Sequence, residues 1–179
     1  MLSLKVFKLF PLIFLLGCSD ATWNRDCPEY ELEKNYSNTE LGFSINLPED
    51  YVINENYGIL NLGAVKESND STYLEACGVT VETNILNYRL EEFYKVSLNN
   101  DKEDYINQYN NFKFLDQGKL IINDNDSFWN IYSYGDEKAL NFYFISNGRT
   151  YRLIFLSNDD HFDSLSCKFN TIVKSINFF

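Results

Sequence analysis

Leu140-Asn141-Phe142-Tyr143-Phe144-Ile145-Ser146-Asn147-Gly148-Arg149-Thr150-Tyr151-Arg152-Leu153-Ile154-Phe155-Leu156 is the stretch that decides the fold. Asn147-Gly148 between two apolar runs is a hairpin signal, because both residues tolerate positive φ. The flanking runs are therefore antiparallel strands. In the first, Leu140, Phe142 and Phe144 face one side and Tyr143 and Ile145 the other. In the second, Tyr151, Leu153 and Phe155 oppose Ile154 and Leu156. Strands that are apolar on both sides need cover on both sides. An open one-sided sheet does not supply it to a central strand, and helices on both faces do.

Working outward, Phe112–Ile122 and Phe128–Tyr134 read as two further strands, with Gly135-Asp136-Glu137-Lys138 as the turn before Leu140. Upstream, Gly42–Leu47 alternates apolar and polar residues until Pro48 stops it, and Tyr51-Val52-Ile53 continues past the break. Ile59–Glu67 and the β-branched Gly78–Thr83 follow as strands. Between them and the meander the period changes. Leu90, Phe93, Tyr94, Ser97 and Leu98 fall on one helical face, with Glu91, Glu92 and Lys95 opposite. Asp101–Asn111 is expected as a second short helical piece. A closing helix starts with Asp159 or Asp160 as its cap and carries the stripe Phe162, Leu165, Phe169, Ile172, Val173 and Ile176. The expected class is α+β, an antiparallel sheet of about six to seven strands with helices on both faces.

The chain has 179 residues, of which 45% are hydrophobic and 17% aromatic, enough to bury one large core and to exclude disorder over most of its length. Its formal charge of −11 opposes nucleic-acid phosphates, so no nucleic-acid partner is expected. At the start, Lys5 and Lys8 precede the apolar run Leu9–Leu16, which is far shorter than a bilayer span. Leu15-Leu16-Gly17-Cys18 at its end resembles the bacterial lipobox, the site of cleavage and lipidation by the signal peptidase II route. That resemblance implies that residues 1–17 are a removed signal peptide and that Cys18 carries the acyl chains. Losing Lys5 and Lys8 would leave the mature chain at −13. Ser19 after the cysteine resembles the sorting residue of proteins sent to the outer membrane. Residues 18–40 read as a polar tether whose second half packs on the domain, and 41–179 as one globular domain.

Leu41-Gly42-Phe43-Ser44-Ile45-Asn46-Leu47-Pro48 resembles the opening of PsbP-like domains, although Glu49-Asp50-Tyr51 stands where that family often has tryptophan. Asn147–Leu153 and Asn170–Phe178 resemble their last hairpin and closing helix. The resemblance implies an α/β/α sandwich and binding or assembly work without a shared catalytic centre or cofactor. It points to a non-enzymatic envelope lipoprotein, or to an immunity or chaperone lipoprotein that binds a secreted toxin.

Candidate chemistry is sparse. The sole histidine, His161, sits among Asp159, Asp160 and Asp163, where helix-start carboxylates explain the cluster and an enzyme with a dispersed site is the alternative. Asn123-Asp124-Asn125-Asp126-Ser127 lacks the glycine and distal glutamate of a calcium loop and reads as a turn, so no metal site is expected. With Cys18 assigned to lipid, three thiols remain. Cys167 lies opposite the apolar stripe of its helix and Cys27 in the tether, which favours a Cys27–Cys167 disulfide, with Cys77 the alternative partner. Tyr57, Tyr105, Tyr109 and Trp129 are candidate patch residues or, more simply, core and sheet-edge aromatics.

Overall fold

The computed structural model of the chain describes residues 27–70, 73–109 and 111–179. The lipobox and Cys18 lie outside them. Seven antiparallel strands form the main sheet: β3 (Tyr51–Tyr57), β4 (Leu60–Lys66), β5 (Glu75–Thr83), β6 (Lys113–Ile122), β7 (Asn125–Tyr134), β8 (Glu137–Ser146) and β9 (Arg149–Asn158). Their order across the sheet is β3-β4-β5-β9-β8-β7-β6. A smaller sheet joins β1 (Lys34–Asn38), β2 (Phe43–Leu47) and β10 (Asn177–Phe178) in the order β1-β2-β10. Helix α1 (Leu90–Gln108) lies between β5 and β6 in the chain, and α2 (Asp159–Lys174) follows β9.

The turns follow from residues that accept a left-handed backbone. Asn147 and Gly148 have φ of 49° and 73°, Asn123 and Asp124 of 49° and 62°, so each pair closes a two-residue hairpin. The polar run at 123–127 thus contracts to Asn123-Asp124, and Asn125 already pairs with Ile122.

Six consecutive residues of β8, Ala139–Phe144, are buried. Tyr143 meets α1, where Tyr94 stacks on Phe128 at 4.8 Å and abuts Tyr143 at 5.2 Å. On the opposite side Phe169 of α2 stacks on Phe155 at 5.0 Å. The helices thus cover opposite faces, and the small sheet completes the α2 face. Its Phe178 packs on Tyr151 at 4.4 Å and on Phe144 at 5.3 Å.

Four details differ from the sequence reading. Gly42–Leu47 yields a strand of the small sheet, not of the main one. Asp101 and its successors continue α1 without a break. The N-cap of α2 is Asn158, whose side chain instead accepts the Leu74 amide at 2.6 Å, while Asp159 and Asp160 fill the first turn. The second half of the 18–40 stretch, read as tether packed on the domain, is there a strand, β1, paired with β2 and with Tyr36 turned into the core.

A buried carboxylate ties three elements together behind α2. Glu75 of β5, fully buried, accepts Lys168 Nζ of α2 at 2.6 Å, the Tyr51 hydroxyl of β3 at 2.7 Å and the Tyr73 hydroxyl. Burial pushes its pKa up, but the hydrogen bonds from Lys168, Tyr73 and Tyr51 outweigh it and hold the carboxyl below its usual value. A carboxylate held low stabilises the fold above the ordinary carboxylate range and loses that contribution as pH falls through its folded pKa. Glu75→Gln should therefore cost about 3 kcal/mol at neutral pH, by stranding the Lys168 charge. In urea titrations the gap to the wild type should narrow steadily as the pH is lowered below about 4, the ordinary carboxylate range.

Candidate functional site

On the α1 face the helix covers β7 and β8 and leaves the β4–β5–β9 part of the sheet uncovered. The result is a groove of about 740 Å³. Its floor is Thr80 and Glu82 of β5 with Thr150, Arg152 and Ile154 of β9, which share one face because strand side chains alternate. Val96, Asn100 and Asp104 of α1 form one wall. The other wall is the β3–β4 turn. Gly63 and Gly78 pair directly beneath it, and a Cβ on Gly78 would lie 2.7 Å from Leu60 Cδ1. The absence of both side chains lets Tyr57 and Leu60 fold onto the sheet.

The end of the groove is the segment 84–88, and its shape is held. Asn84 Nδ2 donates to the Tyr88 carbonyl at 2.9 Å, its Oδ1 accepts the Tyr88 amide at 2.8 Å, and its own amide donates to Gly148 O at 2.9 Å. This loop presents Ile85 and Leu86 to water at 78% and 64% exposure, and the β3–β4 turn presents Ile59 at 89%. Large aliphatic side chains held in solvent around one concavity are the mark of a binding surface.

Beneath the groove runs a closed polar circuit. Arg152 donates to both Asp101 carboxylate oxygens at 2.8 Å and to Asn141 Oδ1 at 2.8 Å. Asn141 donates to Asn130 at 3.0 Å, Asn130 to the Tyr143 hydroxyl at 3.2 Å, and Tyr143 returns to Asp101 at 3.5 Å. Burial disfavours charge on Arg152, yet Tyr143, Tyr132 and Asp101 around it outweigh that and hold the guanidinium firmly protonated. Burial pushes the Asp101 carboxyl up, with Arg152 and Tyr143 pulling against it. The circuit links α1 to β7, β8 and β9 and sets the depth of the floor.

The residues singled out from sequence are scattered. His161 is an exposed residue of α2, with Asp160 Oδ2 at 3.8 Å and the Tyr73 ring at 5.2 Å, away from the groove. Cys27 and Cys167 are joined by a disulfide on α2. Cys77 is buried, and burial pushes its thiol up to about 12. Trp129 is fully buried, while Tyr105 packs among Tyr132, Tyr134 and Phe112. Of these four aromatics Tyr105 lines the groove beside Asp104, while Tyr57, at 60% exposure, packs over Gly63 on the β3–β4 side. Among the described residues no three His, Cys, Asp or Glu side chains are grouped to hold a metal, and no helix is long and apolar enough to cross a membrane. Asp101, Arg152, Glu82 and the 84–88 rim escaped the sequence reading. Only the run Asn84-Ile85-Leu86-Asn87, apolar residues inside a polar loop, carried a local signal.

No protein-family model and no curated protein matches this sequence. Solved structures do. Cyanobacterial PsbP (CyanoP) from Synechocystis sp. PCC 6803 superposes with a TM-score of 0.66 at 12% identity, over 82% of this chain and 92% of that one. The fold is the PsbP-like α+β fold. LpqN of Mycobacterium tuberculosis, described as involved in cell envelope biogenesis, is similar at 11% identity and a TM-score of 0.55, over 83% and 91% of the two chains. The Saccharomyces cerevisiae Ran-binding protein Mog1p is similar at 9% identity and 0.56, over 83% and 96%.

Arg152→Met should cost about 3–5 kcal/mol in chemical denaturation, because Asp101 is left buried and unpaired. Replacing both partners, with Asp101→Leu added, should recover most of that loss and leave the groove rim in place.

Proposed function

We propose that this chain is a non-enzymatic, lipid-anchored protein of the bacterial cell envelope whose PsbP-like domain holds a partner in the α1-face groove. The observation that carries the reading is the rim. Ile59, Ile85 and Leu86 stay in water on backbone that hydrogen bonds keep in place, over a floor whose Arg152 is already neutralised by Asp101. Such a surface fits recognition better than chemistry, since Arg152, its positive group, is engaged within the fold. The similar fold of a Ran-binding protein and of a protein involved in cell envelope biogenesis supports a binding or assembly role.

The anchor in this reading is Cys18. Eight residues lie between it and Cys27, a reach of at most about 30 Å for extended chain. Cys27 is fastened to α2, on the opposite side of the sheet from the groove. The anchor would therefore turn the α2 side toward the lipid and the groove away from it. Three acyl chains would make attachment effectively permanent, since each buried methylene contributes about 0.8 kcal/mol.

Intact-mass measurement of the protein purified from membranes should show a chain beginning at Cys18 with acyl mass added. A chain that begins elsewhere, or that stays in the soluble fraction, would remove the anchor from this reading.

A further inference from the structure

The groove's charges narrow what can occupy it. Among the described residues no lysine lines it, and the one arginine that does, Arg152, is held by Asp101 through both carboxylate oxygens. Two further carboxylates remain. Glu82 on the floor and Asp104 on the α1 wall are exposed, and neither has an ion-pair partner among the described residues. The groove is thus a concavity of net negative charge, walled by aliphatic side chains.

The rim also speaks to the size of the occupant. Ile59, Ile85 and Leu86 stand on two separate turns at exposures of 89%, 78% and 64%, with Val96 on α1 at 39%. A small ligand seated on Thr80 and Ile154 would leave these side chains in water. A polypeptide segment lying across the groove would cover them all and place cationic side chains over Glu82 and Asp104. Interfaces place apolar contacts at the centre and use charge at the margin for register and selection.

We infer that the groove receives an amphipathic, cationic polypeptide segment, with aliphatic or aromatic residues against Ile59, Ile85, Leu86 and Val96, and lysine or arginine facing Glu82 and Asp104. This rests on the groove being the binding surface, as proposed above, and adds the chemistry of its partner.

The test uses the purified full chain and three synthetic peptides of one spacing: leucine with lysine, leucine with glutamate, and serine with lysine. Binding is read by calorimetry at physiological ionic strength. The leucine–lysine peptide should bind about tenfold more tightly than either of the others. Glu82→Gln with Asp104→Asn should remove about that factor, and Ile85→Ser with Leu86→Ser should weaken binding as much or more. Because a chain of formal charge −11 attracts any polycation, Glu31→Gln with Asp163→Asn, an equal charge change on the far side, is the control and should leave the affinity within about twofold. Equal binding of the glutamate or serine peptide, or equal loss in the control pair, overturns the inference. The groove reading survives that result if Ile85→Ser with Leu86→Ser still reduces binding of any peptide. If it reduces none, both fall.

Discussion

Strand β8 cannot be wetted on either side. Ala139 through Phe144 are buried without interruption, so the strand must lie inside the sheet with a layer on each face. Its two neighbours follow from the Asn147-Gly148 and Gly135-Asp136 turns, which fold β9 and β7 onto its flanks. The layers follow from the side chains. Tyr143 calls for α1, while Leu140, Phe142 and Phe144 call for α2 and the small sheet. The rest of the molecule answers that one burial requirement.

Asn141 is the polar exception within β8, and it organises the α1 face. An amide buried without partners would cost about 1–3 kcal/mol. Here it accepts from Arg152 and donates to Asn130, and the chain of bonds closes through Tyr143 and Asp101. A fully satisfied circuit of this kind gives α1 one position along the sheet rather than a range of them. That position leaves β4, β5 and β9 uncovered, and the groove is the space that remains. Glu75 plays the matching part behind α2, joining β3, β5 and the helix.

Local patterns made the core legible. Asn147-Gly148, the two-sided apolar runs and the α2 stripe each carry their information within about ten residues, the reach over which period and turn chemistry operate. The small sheet was less legible, because β1 and β10 have five and two residues and only Tyr36 of β1 turns into the core. The extent of α1 was obscured for another reason. Its inward face mixes Tyr94 and Leu98 with Asp101, so the apolar period fades midway. Pairings such as Asp101–Arg152 and Glu75–Lys168 span 51 and 93 residues, and an ionisable side chain gives no sign of its distant partner. The groove was hidden likewise, being an absence of cover created where three separated elements meet.

The Cys27–Cys167 disulfide also decides how the domain bears a pull. β1 is a five-residue strand at the edge of the small sheet, the kind of element that peels away one hydrogen bond at a time when tugged from its end. A load arriving from the N-terminal side does not reach it. The load passes through the sulfurs into the middle of α2, which is packed through Phe162, Leu165 and Phe169 onto the core. Tension is thus converted from unzipping a strand into shearing a whole helix face, and a great many contacts must then yield together.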